Sequence, residues 1–106
     1  MCLLGVSANV ELVSKLSAKI FTAVESGRYV VSDHADNQVR ERSIMVWQLL
    51  EDLERSEVLS ERPQTKPNPT IELQQTLADG TRVKSVWGYM HGIQVAKLVT
   101  VHFFDR

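Results

Sequence analysis

All three prolines of this chain fall in one run, RPQTKPNPT, from Arg62 to Thr70. Proline has no N–H to donate and a ring that clashes with the preceding helical turn, so this run cannot be the interior of a helix or a central strand. It divides the sequence. Before it, apolar residues recur at helical spacing; after it, they alternate as in a sheet. The pattern predicts an α+β fold, with N-terminal helices packed on one face of a three- to four-stranded antiparallel sheet. The helical region is expected over 7–57, a proline-rich link over 62–70 and the sheet over 71–104. At 106 residues and 43% hydrophobic content, the chain can fill one modest core, and a single domain over 1–106 is expected.

In the first half, Val10, Leu12, Val13, Leu16, Ile20, Phe21 and Val24 fall on one side of a helix, and Glu11, Lys15, Lys19 and Glu25 on the other. Ser7 or Asn9 can cap its start, and Gly27 can end it in the left-handed conformation. Tyr29 to Val31 reads as a short link or strand. Ser32 or Asp33 can accept a free N–H of the next helix, whose dipole Asp33 and Asp36 suit. Along that helix His34, Gln38 and Arg42 are spaced i, i+4, i+8 and share one polar stripe. The chain is expected to break near Ser43 and resume as a helix burying Val46, Leu49, Leu50 and Leu53.

In the second half, Ala78-Asp79-Gly80 and Met90-His91-Gly92 each suit a three-residue hairpin loop with glycine at the left-handed position. With those loops Ile71, Leu73, Leu77, Val83, Trp87, Tyr89, Ile93, Val95, Val99, Val101 and Phe103 share one face, and Lys97 is the exception among them. The other face then carries Glu72, Gln74, Arg82, Lys84, Gln94, Thr100 and His102. Covered on one side by helices, such a sheet leaves this polar, partly basic face to solvent or a ligand.

The net charge of −1 argues against a protein that coats nucleic acid through bulk electrostatics, while leaving room for a local basic site. Glu51, Asp52, Glu54, Glu57 and Glu61 concentrate the acidic charge; they read as a solvated face, or as a contact surface for a basic partner. The single cysteine, Cys2, allows neither an internal disulfide nor a cysteine zinc cluster and suits a reducing cytoplasm. The opening MCLLGV is too short for a signal core, and no stretch suggests a membrane span. The three histidines have no metal-site spacing, and no glycine-rich phosphate loop or Ser-His-Asp order is present, so no metal or cofactor is expected.

Arg82, Lys84 and His102 supply what cleavage of a phosphodiester needs: cations for the phosphate and, in His102, a side chain that titrates near neutrality. An ordinary solvated strand face would show the same alternation. His34, Gln38 and Arg42 could bind an anion; equally, His34 could satisfy a helix start while Arg42 pairs with Asp33, Asp36 or Glu41. His91 reads as a loop residue. Trp47, Trp87 and Tyr89 could stack on bases, but Trp87 has the parity of a core residue.

The residues Tyr29, His34-Ala35, Val39, Glu41-Arg42, Ile44 and the Val46 to Leu53 helix, followed by hairpins ending in LVTVHF, carry a resemblance. From about Ser26 to Phe104 the chain resembles a bacterial family known as domain of unknown function 4258, which looks like a relative of the RelE and MqsR group of toxins. Those are small α+β ribonucleases that cut messenger RNA and are neutralised by an antitoxin. The resemblance implies a cytoplasmic, metal-independent endoribonuclease with RNA as substrate and an antitoxin as protein partner. Lys84 and Arg82 would hold phosphate, His102 or His34 would move protons, and Arg42, Gln38, Gln74, Thr100 and Lys97 would bind. The alternatives are a non-catalytic protein-binding module on the same fold, using the polar sheet face or the acidic helix, and a small-molecule binding domain.

Overall fold

Ile20, Ala23 and Val24, one turn apart on the first helix, are buried against a five-stranded sheet. The computed structural model describes residues 15–103. They form α1 (Lys15–Glu25), β1 (Tyr29–Val31), α2 (Asp33–Glu41), α3 (Val46–Glu51), a 3₁₀ turn (Leu53–Arg55), β2 (Glu57–Arg62), β3 (Thr70–Thr76), β4 (Arg82–Met90) and β5 (Val95–Phe103). The expected helix start at Val10, its caps Ser7 and Asn9, and Cys2 lie outside the described residues. No helix among the described residues is long and apolar enough to cross a membrane.

The α+β class is as the sequence predicts, but the sheet is larger and mixed. Its order is β1-β5-β4-β3-β2, with β1 parallel to β5 and the other pairs antiparallel. The strand missing from the sequence reading is β2, which fills the gap between the expected helical region, ending at 57, and the link, starting at 62. As an edge strand it leaves Val58 and Leu59 exposed and carries a bulge between Val58 and Ser60, so its sequence does not alternate. The acidic run is accordingly split. Asp52 is buried, where its Oδ2 accepts the Thr76 N–H at 3.0 Å, and Glu61 accepts a hydrogen bond from the buried Ser17 hydroxyl of α1.

Two helices end in the same motif with different residues. After α1, the Gly27 N–H donates to Val24 O at 3.0 Å and the Arg28 N–H to Ala23 O at 2.7 Å, with Gly27 at φ 81°. After α2, Ser43 donates to Arg40 O at 3.2 Å and Ile44 to Val39 O at 2.8 Å, with Ser43 at φ 57°. In both, a left-handed residue lets the chain satisfy the last carbonyls. The second brings Ile44 and Val39 together in the core and turns the chain into α3 at the predicted break. Met45 has no capping oxygen; its N–H instead donates to Gln48 Oε1 at 2.8 Å.

The β3–β4 turn has the predicted loop, Ala78-Asp79-Gly80 with Gly80 at φ 91°. The β4–β5 turn does not. Met90 pairs with Val95, and the four-residue loop His91 to Gln94 places Gln94, rather than Gly92, at φ 57°. Ile93 is then 65% exposed instead of inward. Further along, Val86 pairs with Thr100 but Trp87 pairs with Leu98, so Val99 is an extra residue in β5. The extra residue shifts the side-chain parity. Ala96, Leu98 and Val101 are all buried, while Val95, Lys97 and Val99, expected inside, lie with Met90, Gly88 and Thr70 on the outer face.

The inner face is covered by the helices and contains one polar knot. Gln75 Nε2 donates to Leu49 O of α3 at 2.7 Å, and its Oε1 accepts from Ser85 Oγ at 2.6 Å. Both side chains are fully buried, and these bonds offset the desolvation of their amide and hydroxyl.

A left-handed serine costs about 1 kcal/mol that glycine avoids, partly offset by the greater freedom of glycine in the unfolded chain. Ser43→Gly should therefore raise stability by up to about 0.5 kcal/mol in urea unfolding. A destabilised variant would mean that the Ser43 side chain holds the α2–α3 corner by contacts of its own.

Candidate active site

Antiparallel pairing places Gln74, Lys84 and His102 side by side on β3, β4 and β5, in one row across the outer face. Directly opposed residues have their Cβ atoms about 5 Å apart, so the Lys84 ammonium and the His102 imidazole emerge as neighbours. Glu72, the next outward residue of β3, ties the row to β2. Its Oε1 is 3.9 Å from Lys84 Nζ and its Oε2 is 3.1 Å from Arg62 Nη2. Arg82 is the next outward residue of β4, exposed and opposite Thr76.

The fourth side comes from α2. Ser32 caps this helix, accepting the Ala35 N–H at 3.0 Å, and holds it to β5 by donating its N–H to Leu98 O and its hydroxyl to Val99 O, both at 2.9 Å. Beyond Leu98 the three-residue β1 no longer pairs with β5, and Gln38 takes over. Its Oε1 accepts the Val101 N–H at 2.7 Å and the Thr100 hydroxyl at 2.8 Å. One turn later Arg42 stacks its guanidinium over the Phe103 ring, 5.4 Å from the centroid, with Nη1 3.4 Å from Gln38 O.

The surroundings of His102 favour its neutral form. Burial, then the positive charges of Lys84 and Arg42, lower its pKa from the ordinary 6.5, against a smaller opposing pull from Glu72. Its Nε2 is shut off from solvent without a hydrogen-bond partner, as is Arg42 Nε. With Nε2 covered, it falls to Nδ1 of this imidazole, beside two cations, to take a proton from a group that arrives with an anion.

Of the residues expected in a site, His102, Lys84 and Arg42 come together, with Arg82 and Gln74 adjoining them. Gln38 and Thr100 bond to each other and join α2 to the sheet. His34 is exposed on the same stripe of α2, but eight residues from Arg42, or about 12 Å along the axis. Lys97, expected at the rim of the apolar side, is outward beside Gly88, away from the row. Trp87 is fully buried and Tyr89 nearly so, whereas Trp47 is 55% exposed on α3. His91 packs edge-on against Tyr89 in the loop, with centroids 4.9 Å apart. The Arg62–Glu72–Lys84 chain is missing from the sequence reading because Arg62 opens the proline-rich link there, and no alternation marks β2 as a strand.

No protein-family model, no curated protein and no solved structure matches this chain at a significant level. Among the described residues, no group of three or more His, Cys, Asp and Glu side chains is placed to hold a metal ion.

The lowered pKa of His102 is also a statement about stability. Its folded pKa lies below the unfolded value, so the unfolded chain binds the proton more readily, and stability present above pH 6.5 is lost as pH falls through the folded value. In urea unfolding between pH 7.5 and about 5, wild-type protein should lose more stability than His102→Gln, which carries no such proton. Parallel pH profiles would show that His102 titrates alike in both states.

Proposed function

We propose that this chain is a metal-independent endoribonuclease of the toxin type, acting on single-stranded RNA and controlled by an antitoxin protein. The observation that carries this reading is the cross-strand pair Lys84–His102, where burial and two cations favour the neutral imidazole. RNA brings its own nucleophile. Neutral His102 takes the proton of a 2′-hydroxyl, and the freed oxygen attacks the adjacent phosphorus. The bond to the 5′-oxygen breaks, and that oxygen takes a proton from water. The products are a 2′,3′-cyclic phosphate and a 5′-hydroxyl. Lys84, Arg82 and Arg42 hold the phosphate oxygens as charge builds on them, and Glu72 orients the Lys84 ammonium.

The net charge of −1 is compatible with this reading because one group of cations gathers at the outer face of the sheet. Arg62, Lys84, Arg82 and Lys97 all point outward from the sheet, with Arg42 at its edge. The α+β architecture and the resemblance of the central stretch to the RelE and MqsR group of toxins support the same assignment.

A second reading, a non-catalytic protein-binding module, is favoured by one observation. Phe21 and Val24 of α1, with Leu50 and Leu53, line a groove of about 350 Å³ rimmed by Glu25, Glu51 and Glu54. Its chemistry suits a basic amphipathic segment.

The two readings separate in a cleavage assay with purified protein, a single-stranded RNA and EDTA. General acid–base groups contribute about 10²-fold or more to such rates. His102→Ala should lose that factor, and His102→Ala combined with Lys84→Ala should be inactive, while both unfold cooperatively. Cleavage by the folded double variant at the wild-type rate would remove this site; a wild-type protein that leaves RNA intact would favour the binding module.

A further inference from the structure

Gly88 lies within β4, on the same outward parity as Lys84 and four residues along, or about 13 Å away. Glycine weakens a strand interior, and here neither backbone nor packing calls for it. Its φ is not in the left-handed region, and a Cβ built on it would meet Pro69 O and Val99 Cγ2 at 3.6 Å and Thr70 Cγ2 at 3.7 Å, ordinary contacts. Gly88 is instead one of the residues that line a cavity on this face. Beside Gly88 the proline-rich loop and the sheet form a notch of about 150 Å³, with Pro67 and Val99 as its apolar lining residues, Lys66 and Lys97 as cations, and Asn68 also in its lining. Lys97 reaches this side only because the extra residue Val99 changes the parity of β5.

We infer that this notch is a nucleotide subsite that gives the enzyme its base preference; the inference rests on the ribonuclease reading above. A single strand with its reacting phosphate at Lys84 and His102 runs along β4, and a neighbouring nucleotide reaches Gly88. The base enters between Pro67 and Val99 over the bare glycine, where a Cβ-bearing residue would occupy its place. Lys66 and Lys97 hold the flanking phosphates. The Asn68 amide, with a donor and an acceptor side by side, reads the edge of the base.

The test uses full-length protein and a single-stranded RNA pool randomised around the cut, with cleaved ends sequenced. Wild-type protein should cut with a base preference at one position beside the scissile bond. Gly88→Val, which fills the notch, should flatten that preference by about tenfold, the scale of a lost base contact. Gly88→Ala, whose Cβ has room, should fold normally and show an intermediate loss. Asn68→Ala, a loop change independent of strand stability, should alter the preferred base. Cleavage without base preference in the wild type, or an unchanged preference in the folded Gly88 variants and in Asn68→Ala, would overturn the subsite and leave the ribonuclease intact. Absence of any RNA cleavage by wild-type protein would overturn both.

Discussion

The arrangement of the sheet depends on one extra residue in β5. A strand with uninterrupted alternation that buries Ala96 and Leu98 would also turn Thr100 and His102 into the core and expel Val101. Burying an imidazole and a hydroxyl without partners costs a few kcal/mol, so that strand would not survive beside Trp87. The bulge at Val99 resolves the conflict. It lets β5 bury Ala96 and Leu98 before it and Val101 after it, and it keeps Lys97 and His102 on one outer face. The core and the candidate site thus have a common origin.

The second constraint is the edge that β1 leaves open. Three residues of parallel pairing end at Leu98, and the backbone beyond would present unpaired groups. Ser32 and Gln38 close this edge with side-chain bonds to β5. In doing so they fix α2, and the helical turn after Gln38 sets Arg42 against Phe103 and within electrostatic reach of His102. Gln38 therefore bears on the candidate site through where it holds Arg42.

Much of this is legible in the sequence where one rule governs. The left-handed stop at Gly27, the break at Ser43, the Ser32 cap, the Ala78-Asp79-Gly80 turn and the outward parity of Lys84 each follow from local chemistry, whereas His102 reaches the expected face because the longer β4–β5 loop and the bulge at Val99 offset each other. The rest depends on contacts between distant segments. Val58 and Leu59 are too few and too exposed to announce a strand until β3 pairs with them. Lys97 and Val99 change faces because packing of Leu98 and Val101 selects the bulge, which no local signal marks. Gln75 and Ser85 look like surface residues and are core because they bond to each other and to α3. The role of Glu72 was hidden for the same reason as β2, since its partner Arg62 lay in the presumed link.

The Lys84–His102 pair and the notch beside Gly88 lie on the same outer face of β4 and β5, the face on which the ribonuclease proposal rests. The most direct test of this account is the end-group chemistry of a defined RNA after incubation with the protein in EDTA, read by mass spectrometry. Attack by the 2′-hydroxyl predicts a 2′,3′-cyclic phosphate on one fragment and a 5′-hydroxyl on the other, with no cut where that single ribose is replaced by 2′-deoxyribose. Fragments ending in 3′-hydroxyl and 5′-phosphate, or cleavage that persists at the deoxyribose, would contradict it.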